Sequence, residues 1–183
     1  MINPLYLPHA HSTVLFSIAT HTHTKSQGQA SPISQSKMTS NAKINGFWKM
    51  KWTNFAPAAP SSGKLGPLIG TVYQDIDLNN GIAKNILKID TPPLQGCLLA
   101  DAKIANENTI AISFKQVGNK LIGTVPVGPQ IKFEEGSEVR LWEHIYLDDN
   151  YRILYARRVT DIGTKGFLYI MIRAENERFT PNV

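Results

Sequence analysis

The chain has 183 residues, of which 42 % are hydrophobic and 18 % charged, with a formal net charge of +5. That length suits one domain with a core of its own and leaves room for a tail, and without a dense basic stripe the modest charge excludes the usual nucleic-acid binder. A single cysteine, Cys97, excludes an internal disulfide framework and any multi-cysteine zinc or iron–sulfur site, and no apolar run reaches the ~18 residues of a membrane-spanning helix.

Residues 1–42 differ in kind from the rest. Ser12, Thr13, Ser17, Thr20, Thr22, Thr24, Ser26, Ser31, Ser34 and Ser36 recur through them, and the first acidic residue of the chain is Asp75. A hydroxyl-rich, acid-free leader has the composition of an organelle transit peptide, and the lack of arginine before Arg140 favours a plastid address over a mitochondrial one. The short apolar run Thr13–Ala19 offers a secretory signal as the competitor, without the basic flank that such signals carry. Translation from Met38 is the third alternative. His9, His11, His21 and His23 form two His-x-His pairs, but no carboxylate or thiolate nearby completes a metal shell, so a disordered leader is the expectation.

From Gly46 the pattern is strand after strand. Trp48, Met50 and Trp52 alternate with Lys49, Lys51 and Thr53, the period of a strand with one apolar face. A Pro/Ala/Ser/Gly loop, 56–66, follows; then a strand over 68–77, a turn at Asn79-Asn80-Gly81 and a strand over 82–89. Strands are predicted over 94–103, 109–117 and 121–125, the last two joined by a turn at Gly118-Asn119-Lys120. Pro126 and Pro129 argue against a central strand over 127–136. Residues 139–147, 152–159 and 167–173 complete the set, with Asp148-Asp149-Asn150 as a polar hairpin turn. Along Tyr151–Arg158 both faces are mixed, which suits a barrel strand with a partly apolar interior on one side.

About nine short, evenly spaced strands and no helix of convincing period point to an all-β domain over residues 43–176, with a short tail at 177–183. Closing into an antiparallel β-barrel of eight to nine strands would hide every edge and leave an interior for one small ligand; a β-sandwich is the structural alternative.

Three blocks carry a family resemblance. Gly46-Phe47-Trp48 fits the Gly-x-Trp that opens lipocalin-like barrels, and it runs into Trp48-Lys49-Met50-Lys51-Trp52-Thr53 and then Leu65 to Asp77. The block from Tyr146 to Arg158, with Gly166 to Met171 after it, is the most specific part. In these segments the chain resembles the plastid lipid-associated proteins, or PAP/fibrillin family, over about Gly46 to Arg173. It departs from them in lacking a helical apolar period over 25–45, and in reading Ala156-Arg157-Arg158-Val159 where Arg-Gly is common. The resemblance implies a lipocalin-like barrel at thylakoids or plastoglobules that binds a carotenoid, prenylquinone, fatty acid or related lipid without catalysis, cofactor, metal or nucleic acid.

The expected ligand-binding residues are Trp48, Trp52, Phe114, Tyr146, Arg152, Tyr155, Arg157 and Tyr169. The aromatics would line the interior or simply pack it. Arg152 and Arg157 would meet a ligand oxygen through a planar donor fork, or serve structure by pairing with Asp148, Asp149 or Glu143 or stacking on Trp48. Three competitors remain at this level. One is a lipid-globule coat protein without an internal ligand. Another is a lipid isomerase or cyclase using Glu143, His144 or Asp101. The third is a porphyrin carrier with His144 as axial ligand. Cys97 reads as a small buried thiol.

Overall fold

A computed structural model of the chain describes residues 41–55, 60–121, 125–161, 163 and 166–179. The leader anticipated over residues 1–42, with its His-x-His pairs, lies outside the described residues except for its last two positions. The described part begins with one helical turn, α1 (Asn41–Ile44), and runs directly into β1 (Gly46–Thr53). A 3-10 turn at Pro60–Ser62 and a two-rung hairpin, β2 (Lys64–Leu65) with β3 (Leu68–Ile69), precede β4 (Thr71–Asp77) and β5 (Ile82–Ile89). Then come β6 (Leu94–Asn106), β7 (Thr109–Leu121), β8 (Val125–Lys132), β9 (Val139–Leu147), β10 (Tyr151–Arg158) and β11 (Phe167–Arg173).

Eight of these strands close a ring in the order β1, β4, β5, β6, β7, β9, β10, β11 and back to β1, each pair antiparallel. The fold is therefore an antiparallel β-barrel, as the strand count predicts, and not a sandwich. Ring closure leaves no free edge among those eight strands. The ninth, β8, hangs on the outside of the ring. It pairs only with the C-terminal half of β7, from Gln116 to Leu121, whereas the N-terminal half, from Thr109 to Ser113, pairs with β9.

Period-two alternation decides which side chains enter the barrel. Trp48 and Met50 of β1, Val72, Gln74 and Ile76 of β4, Ile110, Ile112 and Phe114 of β7, and Arg152, Leu154 and Ala156 of β10 share the inner face through their register partners. One end is filled solid: Ile44, Trp48, Ile76, Ala83, Ala102, Ile110, Leu154 and Met171 belong to one apolar cluster with almost no exposed surface. Trp48 Nε1 donates to the carbonyl of Ile44 at 2.9 Å. The Arg173 guanidinium lies 4.3 Å from the Trp48 ring and donates to the carbonyls of Asn45 and Lys43, so this end is plugged.

Several elements differ from the sequence reading. β7 runs unbroken through Gly118-Asn119-Lys120, where a turn was expected, because β6 pairs with it from Asn106 back to Leu94. Pro126 and Pro129 do lie in a strand, β8, but it is an exposed edge, the position where a missing N–H costs nothing. The expected tail over 177–183 begins within structure. Glu177 pairs with Lys49 at 2.8 Å and accepts from Tyr73 Oη at 2.8 Å, and Phe179 packs edge-on against Phe47 and Tyr73 outside the barrel.

Candidate functional site

Opposite the plugged end the barrel holds a cavity of about 520 Å³, within the ~300–1,000 Å³ typical of small-molecule sites. Its walls are largely apolar: Met50, Val72, Leu87, Leu98, Phe114 and Met171 among others line it. Phe55 and Phe167 meet edge-on at 4.5 Å and also border it. All eight ring strands contribute to its wall, and Pro60 and Ser61 of the 3-10 turn border it.

Polar groups reach this interior at few points. Gln74 and Asn85 are register partners on β4 and β5, and both line the cavity. Arg140 lines it too, but its charge is met by Glu138 at 2.8 Å and its guanidinium lies over the Phe114 ring at 5.3 Å. Beyond Gln74, toward the plugged end, Arg152 is fully buried; its Nη2 donates to Gln74 Oε1. The Arg152 guanidinium carbon lies 5.5 Å from the Trp48 ring and 5.2 Å from the Trp142 ring. Burial, and secondarily the charge of Arg173, draw its pKa down to about 9. His144, also fully buried, shares a hydrogen bond between Nδ1 and the carbonyl of Asn108 at 3.2 Å. Burial first, and then the Arg152 charge, push its pKa down to about 3, so it is a neutral imidazole.

The eight expected site residues separate into three groups. Phe114, Tyr169 and Arg157 line the cavity. Trp48 and Arg152 lie inside the barrel at the plugged end, next to the cavity without lining it. Trp52, Tyr146 and Tyr155 are elsewhere. Trp52 is half exposed, because β1 carries a bulge after Met50: Met50 pairs with Met171 but Trp52 with Ile170, which turns Trp52 outward. Tyr146 is 45 % exposed and its hydroxyl donates to Asp148 at 2.6 Å, within the β9–β10 turn. Tyr155 shares a face with its partners Glu143 and Leu168, opposite to that of Leu154 and Ala156.

The groups considered for other chemistries are also placed. Asp101 pairs with Lys115 at 3.0 Å on the outside, and His144 does not line the cavity. Cys97 is buried, and desolvation pushes its thiol up to about 11, away from the reactive thiolate. Among the described residues no cluster of three histidine, cysteine or carboxylate side chains could hold a metal ion. The lining residues that sequence reasoning passed over include Met50, Gln74, Asn85, Leu87 and Trp142. The available signal for Gln74 was its place between Val72 and Ile76 on one face of a strand, since a polar residue amid an apolar face usually points at something.

The family model PAP_fibrillin matches residues 29–158. No curated protein matches the chain.

Proposed function

The chain belongs to the PAP_fibrillin family, the plastid lipid-associated proteins, and from that premise we propose that it binds a hydrophobic small molecule inside its barrel, without catalysis, at thylakoids or plastoglobules. The observation that carries this reading is the cavity: about 520 Å³, lined mainly by aliphatic and aromatic side chains, with Gln74, Asn85 and Arg140 among its polar points and Arg157, Arg158 and Asp161 bordering it. Removing apolar ligand surface from water is favourable by about 25 cal/mol per Å², so a site of this size can sequester a lipid chain or isoprenoid ring, with the polar points fixing its orientation.

A purely carrier role, as opposed to an isomerase or cyclase, is supported by the lining. Its one carboxylate among the described residues is Asp161, at the rim, while His144 is held neutral away from the cavity. A positioned acid and base facing the same space, which proton-transfer chemistry on a bound lipid requires, are not assembled there.

The test is retention of lipid. The full chain, incubated with a plastid lipid extract and separated from free lipid by gel filtration, is expected to carry a stoichiometric prenyl or acyl lipid identifiable by mass spectrometry. Protein that emerges free of lipid at every ratio tried, while folded by circular dichroism, would overturn the reading. Flotation on lipid droplets without an extractable internal ligand would instead favour a coat protein.

A further inference from the structure

Resting on the ligand-binding reading above, we propose that the cavity selects an amphiphile with a monoanionic carboxylate head, and that Arg152, with Gln74 holding the place of the head group, is its counter-ion.

Arg152 is a fully buried cation with an incomplete set of partners. Nη2 donates to Gln74 Oε1, but Nε and Nη1 have no hydrogen-bond partner among the described residues. The indoles of Trp48 and Trp142 offer π contact, not acceptors. A buried charge without hydrogen bonds and a counter-ion is costly, and proteins ordinarily supply both.

Among the described residues no carboxylate pairs with Arg152. The side chains brought to the inner face by the eight ring strands include no aspartate or glutamate: β4 contributes Val72, Gln74 and Ile76, and β10 Arg152, Leu154 and Ala156. Of the other cations nearby, Arg140 pairs with Glu138 and Arg173 with Glu175, while Arg157 and Arg158 line the cavity from half-buried and exposed positions that water reaches. His144 is neutral and faces Arg152 only as a dipole. One fully buried positive charge is left over, and it lies next to the inner end of a largely apolar cavity.

The route to it runs through Gln74. Gln74 lines the cavity and bonds Arg152, and Trp142 and Met171, which flank Arg152 as ring neighbour and register partner, also line the cavity. A neutral amide oxygen thus sits where a carboxylate oxygen would be held more strongly, since a charge-assisted bond to guanidinium outcompetes a neutral one. Rotation of the Gln74 side chain lets a carboxylate take two parallel N–H donors. Beside it, Asn85 Oδ1 is buried without a partner, and turning that carboxamide over presents its –NH2 to the same head group. A single uncompensated cation matches a monoanion; a dianionic phosphate would carry surplus charge into the apolar space.

The test uses the full chain, stripped of lipid, and three probes with one oleyl chain: oleate, oleyl alcohol and oleyl phosphate, measured by titration calorimetry. Oleate is expected to bind about ten- to a hundredfold more tightly than oleyl alcohol. In Arg152→Met that preference should vanish. Equal affinity of the wild-type protein for oleate and alcohol overturns the anion site and leaves an apolar carrier standing. So does an oleate preference that survives in Arg152→Met, which would place the anion elsewhere. Tighter binding of oleyl phosphate than oleate overturns the monoanion assignment, and no binding of any probe overturns both this inference and the carrier reading. The wild-type comparison decides even if Arg152→Met does not fold.

Discussion

At the scale of single residues, the barrel interior is notable for two basic side chains held under unfavourable conditions. His144 makes the sign of one effect plain. Burial holds its folded pKa near 3 against an ordinary value of 6.5, so between those values the unfolded chain binds a proton that the folded chain refuses. Stability contributed by this site is therefore complete above pH 6.5 and falls as pH drops, by about 1.4 kcal/mol per pH unit. Urea unfolding at pH 6.5 and pH 5 should differ by about 2 kcal/mol from this group alone, and His144→Gln, which keeps an N–H for the Asn108 carbonyl, should flatten the difference. An unchanged slope in the variant would assign the pH dependence to other groups. Neither His144 nor Arg152 advertises its burial in the sequence, since a histidine between Glu143 and Ile145 or an arginine beside Tyr151 reads equally well as surface. The Gly-x-Trp segment does identify Trp48 as interior, because an aromatic that opens an alternating strand has a strong preference for the packed face.

At the scale of elements, strand existence was legible and strand phase was not. β5, β9 and β11 have the predicted bounds, and β1, β4 and β10 lie within a few residues of them, since hydrophobic alternation and Gly/Asn/Asp turns mark their ends. A bulge has no such mark. The extra residue Lys51 in β1 moves the inner face from even to odd positions, so Trp52 leaves the interior and Thr53 takes the place opposite Tyr169. Long-range pairing likewise overrode the local turn signal at Gly118-Asn119-Lys120. Glycine is needed at Gly166, ahead of β11: its φ is +76°, and a Cβ there would come within 2.5 Å of the Ala156 carbonyl oxygen and 2.7 Å of Arg157 Cβ. Gly166→Ala should cost about 2 kcal/mol in urea unfolding; a neutral result would mean that the hairpin relaxes freely. The prolines of β8 have the opposite logic. With Pro126 and Pro129 this exposed strand is short of two N–H donors, which makes it a poorer template for a further strand. Replacing both by threonine should raise self-association, visible as concentration-dependent light scattering, with little effect on the unfolding midpoint.

At the scale of the whole molecule, the barrel is two environments in series, a solid end around Trp48 and an apolar cavity at the other. Two inner-face positions on β10 straddle the boundary. Leu154 is fully buried in the packed cluster, whereas Ala156, two residues along the same face, lines the cavity between its register partners Trp142 and Phe167. Adding volume should therefore have opposite consequences at the two. Leu154→Phe forces extra atoms into a space already filled and should lower stability by about 1–3 kcal/mol. Ala156→Phe places a ring into free volume and should leave the unfolding midpoint unchanged or raise it, while abolishing most lipid retention. Measured side by side, denaturant midpoints and retained lipid separate a barrel that is hollow by design from one that is loosely packed throughout. If both variants lose stability equally, the cavity is ordinary packing space that the chain closes in solution, and internal ligand binding fails with it. If only Leu154→Phe is destabilised and only Ala156→Phe loses its lipid, folding and sequestration are carried by different halves of the same ring of strands.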